Sequence, residues 1–293
     1  MHFAELYIIF SKGEDMSRII ISMIAIIFII ISSCTNDSPT IPQSDLIVVR
    51  GYIYAGELVD DIQLTSTLPL GSEEEKAPPI NDAHVSLIKD GQRYDLVLSP
   101  GDSGYYHYEG DDLSVESGDI FQIQVKYEDL DVFGFSEVPE APKNVTISKT
   151  TLIFPDFDTM RELRQQGISM DSIRATMMLT VNWEQEEDAL YYILVENIDV
   201  NPVPIESQFS KPPREFISQP TTRNEYTVNA MMMTHLGKHI VKVFRVNQEY
   251  ADLYQSRNQD SRDLNEPLTN IEGGLGVFSA FNCDSMFFDF KQD

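Results

Sequence analysis

Phe121-Gln122-Ile123-Gln124-Val125-Lys126-Tyr127 decides the fold class, because every odd-numbered residue in it is apolar and every even-numbered one polar. Side chains alternate across a β-strand with a period of two, so this run has one dry face and one wet face. Tyr94, Leu96 and Leu98 alternate in the same way against Asp95. Outward from these runs, Leu46 to Tyr54, Asp61 to Leu68, Ala83 to Lys89, Gly104 to Tyr108 and Asp131 to Glu137 are further short strands separated by turn residues. That spacing is the pattern of an antiparallel sandwich or barrel. Asp90-Gly91 predicts a tight hairpin. The stretch from Pro69 to Asn81, with Gly71, Glu73-Glu74-Glu75 and Pro78-Pro79, has no apolar period and is expected to be an exposed loop.

Pro139 to Pro142 marks a domain boundary, and the chain beyond it is again mainly β. Met177, Leu179, Val181 and Trp183 line one face of a strand, Tyr191 to Val195 is a buried strand and Lys238 to Asn247 a third. The pair of strands around Trp183 is similar to the B and C strands of an immunoglobulin or fibronectin-type sandwich. A short helix is expected from Asp158 to Gln166, capped by Asp158 and stopped by Gly167. A second is expected from Glu249 to Gln259, and Gly276 to Phe281 and Met286 to Phe290 are expected as closing strands. The predicted fold is therefore mainly β: two tandem β-sandwich domains with short helical insertions. The first, over 46–139, is transthyretin- or carboxypeptidase-regulatory-like; the second, over 143–293, is fibronectin- or immunoglobulin-like and carries its helical insertion at about 156–175.

Ahead of both domains, Ile19 to Ile31 is almost wholly apolar, the length of a signal-peptide core and short of the ~20 residues needed to span a bilayer. Arg18 supplies the positive flank, while Glu14 and Asp15 have the wrong sign, so translation is expected to start at Met16. Ile31-Ser32-Ser33-Cys34 closes the run with an aliphatic residue, two small residues and a cysteine, the pattern of a bacterial lipidation box. Residues 1–33 are thus expected to be a signal peptide, Cys34 the lipid attachment site and 34–45, with Pro39 and Pro42, a polar tether.

Charge narrows the function further. The formal net charge is −26, from 47 acidic against 21 basic residues. A chain this acidic repels phosphate backbones and anionic headgroups, so no nucleic acid partner is expected and membrane contact is assigned to the lipid alone. About 260 residues after the signal suffice for two cores. Cys34 and Cys283 are the two cysteines; with Cys34 lipidated, Cys283 has no partner in the chain and is expected to be a small half-buried hydrophobe.

No catalytic, cofactor or metal set emerges from the motifs. Gly101-Asp102-Ser103-Gly104 is similar to the nucleophile turn of trypsin-like proteases, with His107 close by, but Tyr105 stands where that family has glycine, and only His84 and His2 lie upstream. The run is hairpin chemistry. His235 and His239 have a helical metal-ligand spacing, yet Gly237 and Lys238 lie between them and no third ligand is near, so they are expected to be surface histidines. Asp111-Asp112, Glu128-Asp129 with Asp131, Asp156 with Asp158, and Glu184 with Glu186-Glu187-Asp188 do not follow the Asp-x-Asp-x-Asp-Gly calcium pattern and are expected to be solvated. Asp158-Thr159-Met160, Asp171-Ser172-Ile173 and Asp284-Ser285-Met286 match a short O-glycosylation acceptor. Gly273-Gly274-Leu275-Gly276 lacks the Lys-Ser/Thr of a phosphate loop; its glycines are expected to allow positive φ and close backbone packing at the base of the closing strand.

Three stretches together resemble one family: Ile47-Val48-Val49-Arg50-Gly51-Tyr52-Ile53, then Pro79-Ile80-Asn81-Asp82-Ala83-His84-Val85-Ser86-Leu87, and Asn270-Ile271-Glu272-Gly273-Gly274-Leu275-Gly276-Val277-Phe278-Ser279. It is a family of Gram-negative envelope lipoproteins built on a domain of unknown function and usually encoded beside TonB-dependent receptors. Gly273, Gly274, Gly276 and Phe278 carry the most specific of the three motifs. The resemblance implies an outer-membrane lipoprotein accessory to a receptor-type transporter, with no catalytic residues to carry over. The expected function is a lipid-anchored binding or accessory module in nutrient uptake that holds a small ligand of unidentified nature or docks on that transporter through the loops at the sandwich ends. The alternatives are an envelope hydrolase acting on glycans or peptides and a structural or adhesive surface lipoprotein.

Overall fold

A computed structural model of the chain describes residues 46–68, 72, 76–205, 213–256 and 269–292. The expected signal peptide, Cys34 and the tether lie outside the described residues, as do Gly71, Glu73 to Glu75 and the end of the second expected helix. The chain before Pro139 folds into β1 (Ile47–Tyr54), β2 (Asp61–Ser66), β3 (His84–Lys89), β4 (Gln92–Leu98), β5 (Tyr105–His107), β6 (Ile120–Tyr127) and β7 (Leu130–Glu137). They pair in the order β1-β2-β5-β4-β3-β6-β7. Period-two burial does the organising: Phe121, Ile123 and Val125 of β6 are buried and meet Val85 and Leu87 of β3 in one core. Asp90 and Gly91 take φ of 51° and 78°, and positive φ at both central positions is what a two-residue hairpin needs to match the strand twist.

The remaining elements are β8 (Thr146–Ile147), β9 (Thr151–Phe154), α1 (Phe157–Gln165), α2 (Met170–Thr176), β10 (Met178–Asn182), β11 (Leu190–Asn197), β12 (Val203–Pro204), β13 (Glu215–Ile217), β14 (Glu225–Asn229), β15 (His235–Val246), α3 (Gln248–Ser256), β16 (Ile271–Glu272) and β17 (Leu275–Gln292). A second core forms between the small sheet β14-β10-β8 and the strands β11, β15 and β17. Leu179, Val181 and Trp183 face Tyr191, Ile193, Val241, Val243, Phe288 and Phe290 across it.

Asp156, not Asp158, caps α1: its Oδ1 accepts from the Thr159 amide at 2.7 Å. Asp158 lies in the first turn, where a carboxylate meets the positive helix end, and pairs with Arg161. Gly167, at φ 82°, follows the helix end. The seven residues of α2 bury only Ile173, too few apolar positions to set up a readable period.

Two closing strands are expected from the sequence, and the structure has one. β17 runs unbroken for 18 residues through the polar stretch Asn282-Cys283-Asp284-Ser285. Its ladder explains why. Leu275 to Phe281 pair in parallel with β1, and Phe281 to Phe290 pair antiparallel with β15, so the backbone stays bonded where the side chains turn polar. The polar stretch marks the passage from one core to the other. Ile271, Phe278 and Ala280 belong to the first core, Phe288 and Phe290 to the second. The division at 139 to 143 is therefore crossed by the last strand, which closes the sandwich that the first strand opens. β16 pairs with β7, bringing that edge of the first sheet back against β17.

Between the two cores lies an aromatic cluster of Tyr192, Phe244, Val246, Tyr250 and Phe281, with Tyr52, Tyr54 and Cys283 against it. Tyr192 stacks on Phe244 at 4.7 Å, Tyr54 on Phe281 at 5.1 Å, and Tyr250 meets Phe281 edge-on at 4.9 Å. Such pairs add about 0.5–1.5 kcal/mol each beyond area burial. Residues 45–293 accordingly form one compact unit. Among the described residues no helix is long and apolar enough to cross a membrane.

Candidate functional site

The terminal glycine motif is a backbone joint. Gly276, at φ 106°, lies so close to β1 that a Cβ would overlap the Val49 carbonyl oxygen, and Gly273, at φ 77°, is held against the carbonyl of Asp131. Gly274 packs on the Ile47 carbonyl, and Phe278 is fully buried beside Gly51. Asn270 ties the motif down: its Oδ1 accepts from the Phe278 amide at 3.0 Å, and its Nδ2 donates to the carbonyls of Phe278 at 2.7 Å and Phe135 at 3.0 Å. Gly273, Gly274, Gly276 and Phe278 thus fasten β16 and β17 to β1 and β7.

A polar seam runs beside the aromatic cluster. Ser136 Oγ donates to Glu249 Oε1 at 2.8 Å and accepts from Asn247 Nδ2 at 3.0 Å and from the Ala280 amide at 2.9 Å. Asn282 Nδ2 donates to Ser117 Oγ at 2.8 Å and to the Pro139 carbonyl at 2.9 Å. These contacts join β7, α3 and β17 across more than a hundred residues of sequence.

The two histidines are not on the surface. His235 is 6 % exposed and His239 2 %. They lie on one face of β15, where residues four apart point the same way. His239 stacks on Phe288 at 5.3 Å and its Nδ1 donates to the Gly237 carbonyl at 3.0 Å. Burial, outweighing that bond, pushes its pKa below the ordinary value. His235 pairs with Thr234 Oγ1 at 2.9 Å and is lowered by burial and then by the nearby Arg214. Among the described residues no three His, Cys, Asp or Glu side chains lie close enough to hold a metal.

The Gly101 to Gly104 run forms the β4–β5 turn, where His107 Nδ1 bonds Ser99 Oγ at 2.9 Å. Cys283 is a half-buried free thiol whose pKa burial raises. Besides Asp156 and Asp158, several carboxylates expected to be solvated are engaged: Glu186 bridges Lys143 at 3.3 Å and Arg245, Glu184 accepts from Asn144 Nδ2 at 2.6 Å, and Asp131 pairs with Lys126 at 3.5 Å.

The helical insertion builds an open surface trough. Phe157, Met160, Arg161 and Arg164 fall at helical positions i, i+3, i+4 and i+7, so they share one face of α1. With Gln165 and with Met170 of α2 they line an open trough of about 460 Å³. Phe157 is 74 % exposed in it. Arg161 is held by Asp158 at 2.8 Å and lies 6.0 Å over the Phe157 ring, whereas Arg164, in the last turn of α1, has no ion-pair partner among the described residues. The Phe-Met-Arg-Arg spacing is legible in the sequence, but it signals a site only once α2 is known to flank it.

A family model described as a domain of unknown function (DUF4249) matches residues 35–286. No curated protein matches the chain. Among solved structures, titin domains A168–A170 are 10 % identical with a TM-score of 0.20, and the chicken CNTN1 FN1–FN3 domains are 11 % identical with a TM-score of 0.17. In each case the match covers 84 % of this chain, which spans 66 % of the other's length.

Proposed function

This chain belongs to the DUF4249 family, and from that membership we propose that it is a non-catalytic, lipid-tethered accessory module of the cell envelope. Cys34 anchors it to the outer membrane, and its partner is a TonB-dependent receptor-type transporter in nutrient uptake. One observation carries the reading: the family match begins at residue 35, directly after the cysteine that the lipidation box picks out independently. The architecture suits the role. The two cores share one strand within a single compact unit, and the exposed insertion supplies a contact surface.

Metabolic labelling with an alkyne-bearing palmitate analogue, followed by envelope fractionation, tests the anchor. Labelled wild-type protein in the outer-membrane fraction, and unlabelled Cys34→Ala protein in the soluble one, are expected. An unlabelled wild-type protein in the soluble fraction would contradict the anchor. Crosslinking in intact cells followed by mass spectrometry tests the partner, with a TonB-dependent receptor expected among the adducts and its consistent absence the contrary result.

A further inference from the structure

β17 also serves as a ruler. Val48 of β1, the first strand, pairs with Leu275 at the start of β17, while Phe154, one proline ahead of the cap of α1, pairs with Gln292 at its end. At about 3.3 Å per residue the strand covers as much as ~55 Å between those points. The α1–α2 trough therefore lies at the opposite end of β17 from the start of β1.

The lining of the trough, though not the insertion as a whole, departs in charge from the rest of the chain. The trough's six lining residues include two arginines and no carboxylate, in a protein with 47 acids against 21 bases. Its apolar lining is Phe157, Met160 and Met170, an aromatic side chain with two adaptable thioethers. A ligand that fits must bring apolar side chains for that lining and negative charge for Arg164. We propose that the trough docks an acidic amphipathic peptide segment of a partner protein, in the manner of a helix laid into a groove. An anionic bilayer matches the same two features but presents an extended negative surface to the whole of a strongly acidic protein, whereas a short segment meets only the charges within a Debye length, ~8 Å, of the trough. A second copy carries the same large negative charge. The proposal rests on the accessory-module reading, of which it names the contact surface and the partner's chemistry.

The test uses purified protein carrying Cys34→Ser, so that its outcome is separate from that of the lipidation experiment. A dye-labelled Glu/Leu amphipathic peptide of about 14 residues, four helical turns, and a Lys/Leu peptide of the same pattern are titrated by fluorescence anisotropy. The Glu/Leu peptide is expected to bind, more weakly as salt rises, and the Lys/Leu peptide not to. Arg164→Glu and Phe157→Asp, both at exposed positions, are each expected to weaken the Glu/Leu peptide about tenfold with the thermal midpoint unchanged. Arg164→Glu should also gain affinity for the Lys/Leu peptide, which a merely structural arginine would not produce. No binding of the Glu/Leu peptide, equal binding by both variants, or equal binding of the two peptides would overturn the proposal. So would co-flotation with phosphatidylglycerol vesicles, or a concentration-dependent dimer in sedimentation, that Arg164→Glu abolishes; these assign the trough to a lipid surface or to a second copy.

Discussion

At Gly276 a single hydrogen atom decides whether β1 and β17 can lie side by side. Its φ of 106° and the Val49 carbonyl both exclude a Cβ. Gly276→Ala is expected to cost about 3 kcal/mol, combining backbone strain with displacement of a paired strand; a urea midpoint indistinguishable from wild type would refute this. His239 sets a pH dependence at the same scale. Burial lowers its folded pKa below the ordinary value of about 6.5, so on acidification the unfolded chain takes up a proton before the native one does. Its contribution to stability is intact above the unfolded value and is lost as pH falls from there toward the folded value. Wild-type protein should therefore lose more stability between pH 7.5 and 5.5 than His239→Gln, compared by thermal melts; parallel curves for the two would count against the buried, neutral imidazole.

Among the elements, β6 and β10 were readable because each buries one face only, so burial and sequence share a period of two. β17 and β15 were harder. β17 keeps its ladder through Asn282 to Ser285 because its partners change there, and no local pattern records a change of partner. His235 and His239 look like surface residues in sequence; Asn197, Phe288 and the backbone that accommodate His239 come from elsewhere in the chain. The glycine joint was legible, since clustered glycines before a strand have few other uses, whereas the seam around Ser136 was not, because its partners are Asn247, Glu249 and Ala280. That seam yields a comparison. Ser136→Ala strips the buried Ala280 amide of its acceptor and should cost about 1–3 kcal/mol. Ser117→Ala leaves Asn282 its bond to the Pro139 carbonyl and should cost about 1 kcal/mol or less. Equal urea midpoints for the two variants would mean that the seam does not join β7 to β17 as described.

For the whole molecule, the central claim is that two sandwiches sharing β17 behave as one body, so that the α1–α2 surface at one end of that strand is fixed relative to β1 at the other. Trp183, the protein's single tryptophan, lies in the second core, and Leu87 lies fully buried in the first. Leu87→Ala removes a packed side chain at a cost of about 2–5 kcal/mol. Urea unfolding of that variant, followed by Trp183 emission alone, tests the claim most directly. If the cores unfold together, the emission midpoint moves to lower urea by the full cost of the substitution; a midpoint identical to wild type would show that the second core does not sense the first, and would contradict the account.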